Sequence, residues 1–253
     1  MRSIKVVTSQ HKPYYKKIGR DCILSFLKHW PKEVKIELWA EGFVPDIQDE
    51  RLIIKDFDQV QPRLDNFLNL IYPHVPHNPE KNIFAKFRPF WIKGHVILTA
   101  MESFDSDIFL WLDSDVTTHK DIPLNLLYDL LPENVLSLDI PAGGKVKGKE
   151  AETGFLMLNM KHPMKDLVID YYRESHTTLK ILEASRRLET GVWWDAVHLA
   201  ESQGAEIKHL NTAIDSIIPF MSTELAEYLR HWVTKQNKKH YATGHKDKTL
   251  EEN

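Results

Sequence analysis

The chain carries a single cysteine, Cys22, so no disulfide can form within it. It also lacks any Asn-X-Ser/Thr acceptor site, and without a disulfide framework nothing in it points to secretion. No apolar run approaches the ~20 residues of a membrane span, and the first strand pattern opens at Ile4 with no signal-like apolar stretch before it. The expectation is a cytoplasmic protein with no transmembrane segment. Neither charge sign is in clear excess: Lys and Arg number 33 against 36 Asp and Glu, a formal net charge of −3. No global field recruits nucleic acid or anionic lipid, so no nucleic-acid partner is expected. Glycine-rich phosphate loops are missing too. The glycines of the basic loop 141–149 fit neither a dinucleotide fingerprint nor a P-loop, and Thr8 to Pro13 contains no glycine.

What is present is the composition of a globular protein, with 27% charged and 42% apolar residues over 253 positions, enough to bury a sizeable core. No repeat and no linker divides the chain. A β-branched strand is expected from Ile4, a helix over 14–30 stopped by Pro31, a second strand over 34–39 and a third over 51–54. Residues 56–79, with four prolines, read as an irregular excursion holding a short helix. His74 and His77 within it are solvated loop residues or metal ligands, the former being favoured without a partner motif. Beyond it the pattern predicts helices over 82–103, 121–131, 163–176, 190–200 and 221–233, and strands over 135–139, 152–160, 206–210 and 216–218. The sum is an α/β fold with a mostly parallel sheet flanked by helices.

One stretch stands out. Ile108-Phe109-Leu110-Trp111-Leu112 is continuously apolar and ends in Asp113-Ser114-Asp115, as a buried central strand does when it stops at a site. In extended backbone, side chains at i and i+2 point the same way, which lets Asp113 and Asp115 converge beyond the strand. Two carboxylates at the carboxyl edge of an α/β sheet suit a hard divalent cation. The bland alternative is a loop with two solvated aspartates.

Other candidates flank this anchor. Thr8 and Ser9 end the first strand, where polar groups of α/β folds often meet a nucleotide, although a simple turn is just as compatible. Lys86 and Arg88 lie among aromatics upstream, reaching a diphosphate or snorkelling on the surface. The loop 141–149 is a basic lid or a plain connector. Trp193-Trp194-Asp195 sets paired indoles beside an acid, as a sugar site does, although Trp193 with Val197 also suits core packing. The tail is polar, with His240, Gly244, His245 and Lys246 before a frayed 247–253.

Strand–helix alternation, the Asp113-Ser114-Asp115 strand, the later Glu152-Thr153-Gly154-Phe155 strand and a C-terminal histidine segment together resemble metal-dependent glycosyltransferases of the GT-A (Rossmann-like) fold. The closest likeness is to glycogenin and the bacterial α-galactosyltransferases. Those enzymes carry a C-terminal His-X-X-Gly-X-X-Lys; here His240 and Lys246 keep the separation, while the glycine is displaced to Gly244 and His245 offers a rival ligand. The resemblance implies a single GT-A-like domain over 1–246 that transfers a sugar, with retention, from a nucleoside-diphosphate sugar such as a UDP-sugar. It implies Mn²⁺ (or Mg²⁺) on Asp113, Asp115 and His240 or His245, and donor contacts from Thr8, Ser9, Lys86, Ser114 and Lys246. Asp195 and then Glu152 stand as the acidic residues at the sugar carbon. The acceptor is a hydroxyl of a glycan, a lipid-linked sugar or a protein. A sugar-1-phosphate nucleotidyltransferase and a non-catalytic sugar-binding module are the alternatives.

Overall fold

The computed structural model describes residues 1–75, 83–142, 150–210 and 222–232, with the backbone alone for 83–86. In chain order its elements are β1 (Ile4–His11), α1 (Lys12–Tyr14), α2 (Arg20–His29), β2 (Lys35–Glu41), β3 (Leu52–Asp56), α3 (Gln61–Ile71), α4 (Ile83–Glu102), β4 (Ile108–Leu112), β5 (Val116–Thr118), α5 (Leu124–Leu130), β6 (Val135–Asp139), β7 (Phe155–Asn159), α6 (Lys165–Thr177), α7 (Glu189–Ser202), β8 (Glu206–His209) and β9 (Leu229–His231). Seven strands form one sheet in the order β3-β2-β1-β4-β7-β6-β8, and β5 pairs with β9 in a second, two-stranded sheet. Within the large sheet the β4–β7 and β6–β7 pairs are antiparallel and the others parallel, so β7 alone among the described strands runs against the rest. This mostly parallel sheet, helix-flanked and in a single domain, is the fold class expected.

Strand β4 occupies the middle of the sheet, and all five of its residues are buried. Its side chains alternate between two cores, as the two-residue period of a strand requires. Phe109 and Trp111 join Val7, Leu156 and Leu158 under α3, α4, α6 and α7. Ile108, Leu110 and Leu112 join Val6, Phe155 and Met157 under α2 and α5. Being covered on both faces, the strand can be wholly apolar; its register with β1 (Val6 opposite Leu110) and β7 (Met157 opposite Leu110) extends both cores across the sheet.

Three segments depart from the sequence expectations. The helix expected over 14–30 is found over 12–29, starting two residues earlier and taking a π-helical turn, Tyr15–Gly19, between α1 and α2. The excursion over 56–79 holds an 11-residue helix, α3, whose Leu64, Phe67 and Ile71 recur at helical spacing against the first core. The helix expected over 221–233 is instead a 3-10 turn, Glu224–Glu227, followed by strand β9. Burial there alternates, with Leu229 and His231 inside and Arg230 partly exposed, a three-residue period too short to read from sequence. The strand expected over 216–218 and the loop residues 143–149 lie outside the described residues.

Candidate metal centre and cleft

The site begins where β4 ends. Asp113 N–H still donates to Gly154 O (2.9 Å), but Val116 N–H folds back onto Asp113 O (3.0 Å), so Asp113 to Val116 is a turn. The two carboxylates therefore meet through a turn, not through the alternation of an extended strand. Beyond it β5 pairs with β9, with Val116 opposite His231, and Trp232 N–H donates to Asp115 O at 2.8 Å. That pairing carries a buried imidazole from a point more than a hundred residues later to the acidic pair.

The ligand atoms divide cleanly. Asp113 Oδ1 accepts from Trp111 Nε1 (2.7 Å) and pairs with Lys93 Nζ (2.7 Å), and Asp115 Oδ2 accepts from Tyr14 OH (2.9 Å). The remaining oxygens, Asp113 Oδ2 and Asp115 Oδ1, face His231 Nε2 at 3.9 and 3.1 Å. One ligand atom from each of these three residues lies within 4.8 Å of the others, the only such trio among the described residues. Two carboxylate oxygens and one imidazole nitrogen at these spacings are a donor set suited to a divalent cation. The outer oxygens, held by Tyr14, Trp111 and Lys93, orient both carboxylates, as supporting hydrogen bonds do in metal sites.

Charge in the site is balanced by Lys93 of α4, whose side chain is 12% exposed. Its ammonium donates to Thr153 O (2.7 Å) and Oγ1 (3.0 Å) and lies 3.4 Å from Glu189 Oε1. Burial works against its charge, but Asp113 and Glu189 outweigh that effect and hold its pKa above the ordinary lysine range. Burial raises the pKa of Glu189, which accepts from Thr153 Oγ1 at 2.8 Å, and also that of Glu152. Burial likewise opposes charge on His231, yet its hydrogen bond to Asp115 and the surrounding carboxylates raise its pKa. Asp115 is affected reciprocally: burial pushes its pKa up, while His231 and Tyr14 bring it below the usual carboxylate value.

A cleft of about 720 Å³ opens over these groups, lined among others by Ser9, His11, Arg88, Phe90, Ser114 and both aspartates. Of the residues singled out from sequence, Asp113, Ser114, Asp115 and Ser9 thus come together. Glu152 accepts from Gly154 N–H (2.9 Å), and a side chain at Gly154 would touch both Glu152 and His231, so it stands behind the trio. Thr8 is fully buried within β1 and is not among the lining residues. Asp195 lies on α7, accepts from Ser185 N–H (2.8 Å) and does not line the cleft. The paired indoles separate: Trp193 is fully buried against Tyr172, and Trp194 stacks on His198. The side chain of Lys86, and all of His240, His245 and Lys246, lie outside the described residues. Sequence reading missed Tyr14, Lys93, Glu189 and His231. Of these, Glu189 alone left a signal, as an acid opening the helix that holds Asp195.

No family model matches the chain, and no curated protein matches it. Solved structures do resemble it. Mouse xyloside xylosyltransferase 1 is 9% identical with a TM-score of 0.48, covering 82% of this chain and 85% of its own. An active-site mutant of LgtC is 14% identical with a TM-score of 0.49, covering 82% and 72%. The glycosyltransferase GlyE of Streptococcus pneumoniae TIGR4 is 16% identical with a TM-score of 0.44, covering 83% of this chain and 46% of its own. At such values the reading of function rests on the site itself.

Proposed function

We propose that the protein is a metal-dependent glycosyltransferase that moves a sugar from a nucleoside-diphosphate sugar, such as a UDP-sugar, to a hydroxyl acceptor. The observation that carries this reading is the convergence of Asp113 Oδ2, Asp115 Oδ1 and His231 Nε2 beneath a cleft at the carboxyl edge of the sheet. Asp113, Asp115 and His231 would hold the cation, with His231 in the place expected of His240 or His245. Bound there, Mn²⁺ or Mg²⁺ supplies positive charge for a diphosphate leaving group.

The chain's own residues supply the rest. Tyr14, hydrogen-bonded to Asp115, and Ser9 and His11, which line the cleft, form the wall that receives the nucleoside. Lys93 pairs with Asp113 Oδ1 and leaves the second oxygen to bind. Glu189, held by Lys93 and Thr153, is buried and, like Asp195, does not line the cleft; it serves the site by holding Lys93 beside Asp113. We further propose retention of the anomeric configuration, which NMR of the product anomer tests.

Incubation with Mn²⁺ and a panel of nucleotide sugars tests the whole reading. Slow, metal-dependent release of nucleoside diphosphate from one donor is expected, and loss of at least a hundredfold in Asp113→Asn, Asp115→Asn and His231→Ala. Turnover only when pyrophosphate is added, giving a nucleoside triphosphate and a sugar 1-phosphate, would make the protein a nucleotidyltransferase, and binding without turnover would make it a sugar-binding module.

A further inference from the structure

The cleft reaches beyond the metal centre, across the ends of β1 and β2. Its floor there is one face of the sheet, because Val7, Trp39 and Trp111 pack into the same core and side chains two residues further along a strand return to the same face. Strands β1 and β2 pair in parallel, with Ser9 opposite Trp39 and His11 opposite Glu41, and all four residues line the cleft. Glu41 is the last residue of β2, and Gly42, at a φ of 68°, turns the chain away directly after it. Its carboxylate thus stands at the carboxyl edge of the sheet, two strands from β4 in the order β2-β1-β4.

That carboxylate keeps its acceptor sites open. The Glu41 side chain is 31% exposed, and its one ion pair among the described residues is with Arg88 of α4, whose Nη2 lies 3.9 Å from Glu41 Oε1. The separation exceeds hydrogen-bond length, so Arg88 offsets the charge without occupying either oxygen. An ionised carboxylate only accepts hydrogen bonds, and its two oxygens suit a pair of neighbouring donors. Vicinal hydroxyls on a sugar ring are such a pair. Two strand spacings of ~4.8 Å set Glu41 about 10 Å across the sheet from the end of β4. A diphosphate at the Asp113 centre, followed by C5′ and a ribose ring, bridges that distance once the Glu41 side chain extends to meet it.

We propose, resting on the donor reading above, that Glu41 recognises the ribose of the nucleoside diphosphate, its carboxylate accepting from the 2′- and 3′-hydroxyls, and thereby selects ribonucleotide over deoxyribonucleotide donors. Strand β1, helix α2 and strand β2 form a βαβ unit, the helix lying in sequence between two adjacent parallel strands. In nucleotide-binding units of that kind an acidic residue takes the ribose 2′-hydroxyl in the same way. The glycine-rich turn of those units is absent after β1, and a cation on the acidic pair would hold the diphosphate in its place. Arg88, beside Glu41 on the cleft wall, keeps the carboxylate charged and turned toward the ligand.

Isothermal titration of the diphosphates of uridine, guanosine and adenosine, and of their 2′-deoxy counterparts, into the full chain with saturating Mn²⁺ tests this. For whichever ribonucleotide binds, the 2′-deoxy form is expected to bind about tenfold more weakly, as the loss of a hydrogen bond to a charged group requires. Glu41→Ala should bring the two forms within about twofold of each other. Glu41→Gln keeps the shape and removes the charge; it should narrow the difference about threefold and serves where the alanine variant fails to fold. The ratio of the two affinities, unlike either affinity alone, does not move with a purely structural role. Equal binding of ribo and deoxy forms by the unsubstituted chain, or a preference that the folded variants leave unchanged, overturns the proposal and leaves the donor reading standing. Binding of none of the three ribonucleotides in the presence of Mn²⁺ overturns both.

Discussion

Lys93 illustrates how much one residue carries. Its ammonium neutralises Asp113 and the buried Glu189 together, and removing one partner of such a cluster strands a charge in low dielectric. Lys93→Met is expected to destabilise the protein by roughly 3–5 kcal/mol, measured by urea unfolding. Combining it with Glu189→Gln should recover part of that loss, because the second change removes the stranded carboxylate. Gly154 acts by its lack of a side chain. A Cβ there would lie 2.8 Å from Glu152 Oε1 and 3.0 Å from His231 Cε1. Gly154→Ala should therefore push His231 aside and weaken Mn²⁺ binding about tenfold, a change titration calorimetry would show, while the unfolding midpoint moves little. The acidic pair was readable from sequence because five apolar residues lead directly into it. Lys93 was not, since a lysine in an apolar helix reads as a snorkelling surface residue until the helix is docked.

At the level of elements, α4 and α6 are joined through two buried histidines. His95 Nδ1 donates to Trp91 O and His176 Nδ1 to Tyr172 O, both at 2.8 Å, and the rings meet edge-on at 5.3 Å. Burial lowers their pKa values to about 4 and about 3. Both folded values lie below the unfolded value near 6.5, so the unfolded chain takes up protons that the folded chain refuses. The stability these residues contribute is whole above about pH 6.5 and is lost on acidification toward pH 4, by up to about 2.7 kcal/mol per pH unit for the two together. Urea unfolding at pH 7, 6 and 5 checks this, and His176→Phe should make the fall about half as steep. Elements with a full period were legible: β6 is found over the expected 135–139 and β4 over its five apolar residues. Strand β9 was not, because its three residues pair only with β5, far away in the chain.

For the whole molecule, the candidate centre ties β4, β5 and β9 together with groups distant in sequence, so a cation bound there binds the folded chain alone. At 100 times its dissociation constant, Mn²⁺ should stabilise the protein by about 2.7 kcal/mol, seen as a thermal shift of several degrees. Asp113→Asn/Asp115→Asn should abolish that shift. A shift that survives the double substitution would place the Mn²⁺ elsewhere.

The sequence by itself determined the sheet, because buried strands and amphipathic helices are local patterns of apolar residues. It also determined where the sheet would carry its acid pair, because a strand so apolar has to end abruptly before two carboxylates. Which imidazole and which ammonium meet that pair was decided only by tertiary structure. Pairing of β5 with β9 delivers His231, and docking of α4 on the sheet delivers Lys93. Both depend on contacts between residues far apart in the chain, which carry no periodicity for a linear reading to detect.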